Sequence, residues 1–252
     1  MFKENIDNEY IVRQEGTSEG TQIKYRKDDF WYKKDNRGNE GRVEYLVSRF
    51  MEFTSLAKTE YVEYEEGTIN GKTGCRSRNF LGKEDELITF YRLYYNEVGK
   101  DLSKVIANME TMEERVEYVI DFIQQSCQLD IRNYLSKVLT LDMVCLNEDR
   151  HLNNLAVIMH GNQFYPAPIF DNGISLLTAN QSVNWNFSIE ENVRRVIARP
   201  FSGSHEKMVE YLGNGFTMDV NGALEWIKRE MKSRERDVLI YQIKRYSAGL
   251  GK

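Results

Sequence analysis

The stretch "NEDRHLNNLAVI", Asn147 to Ile158, sets Asp149, Arg150, His151, Asn153 and Asn154 directly after a run of helical, largely apolar sequence. A second stretch, "PIFDNGISLL" from Pro168 to Leu177, brings in Asp171. Asp149 and Asn154 are five positions apart, and Asp171 follows Asp149 by 22. Between them "LAVIMHGNQFYPAPIFD" reads as two short strands around a Gly161-Asn162 turn. Phosphoryl transfer from a nucleotide needs such parts. A carboxylate orients or deprotonates the acceptor, while an amide and a second carboxylate hold Mg²⁺ against the phosphates. Mg²⁺ takes hard oxygen ligands and keeps several waters, so Asn154 and Asp171 suffice as protein donors, with Asp149 left for the acceptor. Taken alone, "FDNG" is more often a plain turn. The two stretches together, at this spacing and with a hairpin between them, favour chemistry.

The rest of the chain bounds that reading. Its 252 residues can bury a sizeable core, as one large domain or two lobes sharing a cleft. At 41% hydrophobic and 29% charged the chain is globular, and its three prolines mark no linker. A net charge of −5 gives no general attraction to nucleic acid or to an anionic membrane, so neither is expected as a partner. No apolar run approaches the ~20 residues of a membrane span. The start, "MFKENIDNEY", lacks the apolar core of a signal peptide, which points to a cytoplasmic protein. Cys75, Cys127 and Cys145 are odd in number and widely spaced, as suits buried, reduced thiols.

The pattern changes character near Leu81. Before it, "EYIVRQ" and "TQIKYRKDDFWYKKD" read as strands flanking the Gly-containing "EGTSEG". "TEYVEYEEG" and "KTGCRSRNF" read as a hairpin turning at Asn70-Gly71. Between the pairs, Val43, Leu46, Val47, Phe50 and Met51 recur at helical spacing. After Leu81, Val116, Val119, Ile120, Ile123 and Cys127 line one helical face, and "DIRNYLSKVLTLDMVCL" follows with Asp130 as N-cap. Helical patterns over residues 206–212 and 220–246 close the chain. The expectation is an α+β fold of two lobes: a β-rich lobe with one helix over residues 1–82 and a mainly helical lobe over 83–252.

"DRHLNN" resembles the Asp-x-x-x-x-Asn catalytic loop of protein kinases, and "FDNG" stands where their Asp-Phe-Gly would be. The order Asp-Arg-His resembles the HipA-like bacterial serine/threonine kinases, and occurs also in phosphoinositide-3-kinase-like enzymes. "WYKKD" followed by "EYLVSRF" is similar to compact, single-domain HipA-like members, without the extra N-terminal domain of full-length HipA toxins. The resemblance implies a two-lobed kinase fold, ATP and Mg²⁺ as cofactors, and a protein substrate that includes the kinase itself. It gives Asp149 the catalytic role, supported by His151 as a hydrogen-bonding orienter of the loop. Lys33 in "FWYKK" is then the lysine that pairs the nucleotide phosphates, and Lys34 points to the opposite face of the strand. Of Glu40 and Glu44 in the next helix, Glu44 lies beside the apolar face and is the better ion-pair partner for Lys33. The segment Gly16, Thr17, Ser18 and Gly20 departs from Gly-x-Gly-x-x-Gly but is placed as a lid over the nucleotide. Its Thr17 and Ser18, with Thr21, are candidates for self-phosphorylation. Adenine is expected against the lobe connection near Ser77 and Phe80.

Three competing features carry less. "GTINGKT" ends like a Walker A loop but has Glu66 where the first Gly is required, and it lies in a hairpin. Cys145, His151 and His160 lack zinc-site spacing. His160 and His205 read as surface or turn residues, and Arg150 as a structural partner for an acidic group. Residues 172–193 contain no Lys or Arg, which disfavours an anionic lipid head group as acceptor, whereas Arg194, Arg195 and Arg199 make the next segment basic. Three readings stay open: a protein kinase, a small-molecule or lipid kinase with the same constellation, and a nucleotide-binding pseudokinase serving as an interaction module.

Overall fold

Asn70 and Gly71 both take left-handed backbone, with φ of 51° and 75°, as a two-residue hairpin turn of the primed type requires. The turn fixes Ile69 opposite Lys72 and so sets the antiparallel register of β4 (Tyr64–Ile69) with β5 (Lys72–Arg78). The computed structural model describes residues 1–12, 22–36, 38–178 and 183–250, and around this hairpin it builds a five-stranded sheet. The strand order is β1-β4-β5-β3-β2, with β1 at Phe2–Glu4, β2 at Lys24–Lys27 and β3 at Phe30–Lys34. In the β2–β3 hairpin Lys24 stands directly opposite Lys33, and Lys33 stands opposite Cys75 on β5. Cross-strand partners share a sheet face, so Lys24 and Lys33 project together.

Helix α1 (Glu40–Met51) crosses this sheet. A side-chain carbon at Gly41 would stand 2.4 Å from the backbone of Gly74, so only glycine lets the helix lie this close to β5. Glu44, almost one turn on, is thereby brought beneath the sheet. The opposite flank of α1 (Val43, Leu46, Val47, Phe50 and Met51) is fully buried in the same hydrophobic cluster as the C-terminal helices. The helix therefore joins the two halves of the molecule.

Residues 79–84 lead from β5 to β6 (Asp85–Thr89), which heads a second, antiparallel sheet with β7 (Ala156–His160) and β8 (Gln163–Pro166). The helices of this half are α2 (Phe90–Val98), α3 (Leu102–Ala107), α4 (Met112–Cys127), α5 (Arg132–Cys145), α6 (Ile189–Val193), α7 (His205–Leu212), α8 (Val220–Arg229) and α9 (Arg234–Arg245). Helix α5 is buried on nearly every side from Tyr134 to Cys145, as a central helix should be. All three cysteines are buried free thiols. No described helix is long and apolar enough to cross a membrane.

The α+β, two-lobed expectation holds, and the differences from it are local. "EYIVRQ" is not a strand where it is described. Asn8–Tyr10 forms a 3-10 turn, and Ile11 makes a single bridge to Tyr25. "TEYVEYEEG" becomes a strand only at Tyr64, because Tyr61 and Val62 instead run beside Ile169, with Val62 N donating to Ile169 O at 3.0 Å. Helix α5 begins one residue later than expected, with Ile131 as N-cap and the Asp130 carboxylate accepting from Arg132 N at 2.9 Å. The long pattern over 220–246 breaks where Glu230 turns extended and Ser233 caps α9 by accepting from Arg236 N.

His205 departs furthest from the sequence reading. It is 4% exposed rather than on the surface, and neither ring nitrogen has a hydrogen-bond partner among the described residues. Burial lowers its pKa from the ordinary 6.5; Asp142 and Glu206 oppose that shift, and Arg150 adds to it. The unfolded chain thus takes up a proton at a higher pH than the folded one. Stability is then complete above the unfolded value and falls as pH drops through 6.5 toward the lowered folded value. Denaturant midpoints measured between about pH 7 and about pH 5.5 should show this decline, a window in which histidine alone among ordinary side chains titrates. His205→Gln should flatten it; an unchanged slope in that variant would assign the decline to another group.

Candidate active site

Helix α5 ends with Leu146 in left-handed backbone, φ 57°, and the chain turns sharply into "NEDRHLNN". Asn147 anchors the turn by donating from Nδ2 to Asp142 Oδ1 at 3.0 Å and accepting from Asp149 N at 3.0 Å. Asp149 O then accepts from His151 N at 2.8 Å and from Asn154 Nδ2 at 3.1 Å. The loop is closed on itself, while the Asp149 side chain stays 42% exposed.

Arg150 is the internal brace. Its side chain has 0% exposure. Its guanidinium donates to both oxygens of Asp142 at 3.0 Å, to Asn154 O at 3.2 Å, to Phe170 O at 2.7 Å and to Asn172 Oδ1 at 2.6 Å. One side chain therefore ties α5, the loop and the Phe170–Asn172 segment together. The bond expected from the His151 ring is not made. Its Nε2 lies 3.9 Å from Asp149 Oδ2, beyond hydrogen-bond range, and its Nδ1 is buried without a partner among the described residues.

Asp171 has φ of 61°, which a non-glycine residue adopts at some cost. That conformation turns its carboxylate toward β3. Lys33 Nζ donates to Asp171 Oδ1 at 2.8 Å and to Glu44 Oε1 at 2.7 Å. The Tyr64 hydroxyl lies 3.3 Å from the same ammonium, which sits 5.0 Å over the Tyr64 ring. Glu44 Oε2 accepts from Asn172 N at 2.9 Å, so the helix glutamate holds the lysine and the Asp171–Asn172 segment together. Gly173 permits this approach, since a side-chain carbon there would meet Glu40 Cβ at 3.2 Å.

The charges are mutually dependent. Burial pushes the Lys33 ammonium down, but the Asp171 and Glu44 carboxylates outweigh it and hold the lysine protonated. Burial pushes Asp171 up, yet Lys33, Lys24 and Arg150 keep it well below the ordinary carboxylate range. Glu44 is raised by its own burial, with Lys33 opposing. Burial beside Glu44 holds the Tyr64 phenol neutral, far above its usual range.

These groups end a cleft of about 380 Å³ between the two sheets. Its walls include Trp31, Phe80, Leu81, Leu87 and Phe170, with Phe80 and Phe170 stacked at 6.3 Å. Ser77 and Asn79 line it from β5 and the connection, and Asn153 and Asn154 from the loop. An apolar slot with a few polar groups at one end suits a planar base joined to an anionic tail. Lys24 also faces the cleft, 3.9 Å from Asp171 Oδ2, and puts a second ammonium at the charged end.

The structure brings Lys33, Asp171, Asn154, Ser77 and Phe80 to the wall of this one cleft, with Glu44 buried against Lys33 and with Asp149 and His151 on the adjoining loop. Gly16, Thr17, Ser18 and Gly20 lie outside the described residues. Lys24, Tyr64 and Asp142 were not singled out from the sequence. Among the described residues no cluster of three or more His, Cys, Asp or Glu could hold a metal by itself. A Mg²⁺ site of one carboxylate and one amide does fit. Asn154 Oδ1 is buried without a hydrogen-bond partner among the described residues, and Asp171 shares its cleft.

No protein-family model and no curated protein matches the sequence. Solved structures do match. The proinflammatory kinase CtkA of Helicobacter pylori superposes with a TM-score of 0.65 at 18% identity, over 94% of this chain and 92% of its own. HipA of Shewanella oneidensis MR-1, solved with HipB and its operator DNA, superposes with a TM-score of 0.52 at 9% identity, over 97% of this chain and 67% of its own. The fold is the one shared with CtkA and HipA. At these identities the likeness is one of architecture and assigns no role to Asp149, Lys33 or Asp171. In this fold the geometry above lies where the two differently built lobes meet.

Proposed function

We propose that the protein is an ATP- and Mg²⁺-dependent protein serine/threonine kinase that also phosphorylates itself. The observation that carries this reading is the largely buried Glu44–Lys33–Asp171 chain at the charged end of an apolar cleft, with Asn154 in the cleft wall and Asp149 exposed on the adjoining loop.

The cleft walls take the base, and Lys33 and Lys24 take the phosphates. Glu44 remains the ion-pair partner of Lys33, at 2.7 Å, when Asp171 turns to other work. Mg²⁺ held by Asn154 Oδ1 and the Asp171 carboxylate would supply charge neutralisation for the phosphate oxygens. Asp149 accepts the proton of the acceptor hydroxyl as that oxygen bonds to the terminal phosphorus. The bond from that phosphorus to the bridging oxygen breaks, and ADP leaves. Arg150 keeps Asp149, Asn154 and Asp171 in one frame throughout, since its guanidinium bonds the backbone of Asn154 and Phe170. A protein acceptor is favoured because the Asp149 carboxylate is 42% exposed, at an open surface. Thr17 and Ser18, outside the described residues, are the proposed self-phosphorylation sites.

The purified chain incubated with labelled ATP and Mg²⁺ tests this. Label should appear on the protein, with phosphate on residues 16–24 by mass spectrometry, and Asp171→Ala should abolish it. Label only on an added small acceptor would favour a small-molecule kinase. Nucleotide binding without any transfer would leave a pseudokinase.

A further inference from the structure

Asp149 has a neighbour that phosphoryl transfer as derived above does not use. Arg199 Nη1 lies 3.8 Å from Asp149 Oδ1, and the Arg199 side chain is 59% exposed. It ends a run in which three of six residues, Arg194, Arg195 and Arg199, are arginine. The other two are engaged elsewhere: Arg194 bonds Glu190, and Arg195 lies 4.6 Å from the Phe187 ring centroid. Arg199 instead faces the carboxylate that must meet the acceptor.

Exposed ion pairs do little for stability, so this contact is poorly explained as a fold element. The separation is also too long for a hydrogen bond, which leaves the Asp149 oxygens free to accept a proton. A guanidinium carries five donors in a rigid fork suited to carboxylate or phosphate, and one long contact to Asp149 leaves most of that capacity unused. A negatively charged acceptor approaching Asp149 would otherwise meet like charge. Arg199 offsets that repulsion at the point of approach.

We infer that Arg199 is a specificity-determining residue that binds an anionic group, carboxylate or phosphate, flanking the acceptor hydroxyl. This rests on the kinase reading above and adds to it a substrate class: acidic protein segments.

The test uses the full chain with ATP and Mg²⁺ and three acceptors: dephosphorylated casein, phosphorylated casein and basic myelin protein. Wild type should phosphorylate casein in preference to the basic protein. Arg199→Glu should lower the casein-to-basic ratio of kcat/KM by about ten-fold or more, the size expected for one charge-assisted contact. The KM for ATP should not move, because Arg199 does not line the nucleotide cleft. Arg199→Lys should keep part of the preference. A higher rate on phosphorylated casein assigns the flanking group as phosphate, and equal rates on both caseins assign it as carboxylate. A ratio unchanged in Arg199→Glu, or equal loss on all acceptors, overturns the inference. So does self-phosphorylation with no transfer to casein, although the kinase reading would survive it. Absence of all transfer, to the chain itself included, removes the kinase reading and the inference together.

Discussion

Arg150→Met is expected to lower the stability of the folded chain by about 3–5 kcal/mol, the cost of stripping one partner from a buried ion pair. Methionine keeps much of the side-chain volume but leaves Asp142, itself with 0% exposure, as an uncompensated charge. It also removes the donors to Phe170 O, Asn154 O and Asn172 Oδ1. Urea unfolding of Arg150→Met, Asp142→Leu and the double variant separates these contributions. The double variant should recover much of the lost stability, because a buried pair replaced by apolar groups is often tolerated. It should not recover the proposed phosphoryl transfer, since the backbone of the Asp149–Asn154 loop and of the Asp171 segment would no longer be held together. A single-variant loss below about 1 kcal/mol, the range of an exposed pair, would mean that Arg150 is not the brace described.

Asp142 also shows what the sequence conceals. Asp149, Asn154 and Asp171 stand out in the sequence because their arrangement is local: a loop after a helix, a hairpin, then the segment that follows it. Asp142 was visible as a lone charge inside "LTLDMVC", an otherwise apolar run within a helix. Its meaning needed the partner eight residues on, and only the left-handed turn at Leu146 brings the two together. Choosing Glu44 over Glu40 followed from helical periodicity, and Glu44 is the one that bonds Lys33.

Lys24 and Tyr64 were beyond that kind of reading. Lys24 enters the cleft because the turn at Asp28 and Asp29 sets it opposite Lys33, and shifting the register by one residue would turn it to the other face. Tyr64 opens β4, and nothing in "EYVEYEEG" separates it from Tyr61, which bridges to Ile169 instead. Strands β1 and β6 were missed for the same reason. Each is short, and its partner lies more than sixty residues away: Phe2 opposite Gly67, and Asp85 opposite His160. His205 was misplaced because burial is decided by what packs over α7, which its own neighbours do not reveal.

Asp149→Asn should cut kcat by about 10²- to 10⁴-fold, the usual contribution of a positioned general base. The substitution removes proton affinity and the charge that faces Arg199 at 3.8 Å, but not the loop's bonds. The loop is held through the Asp149 main chain, whose carbonyl receives Asn154 Nδ2 and whose N–H donates to Asn147, and both bonds survive in the variant. The side chain is 42% exposed, so its unfolding midpoint should match wild type. Asp149 does not line the nucleotide cleft, so the KM for ATP should also hold. Asp171→Asn makes the contrast. It takes one of two carboxylates from Lys33 and one oxygen donor from the proposed Mg²⁺ site, so nucleotide affinity and turnover should fall together. Steady-state kinetics on both variants therefore separate two roles that sequence spacing alone leaves merged. An Asp149→Asn enzyme within about three-fold of wild type would mean that another group takes the proton, since a lost general base costs far more. His151, with its ring nitrogen 3.9 Å from Asp149 Oδ2, would be the next group to replace.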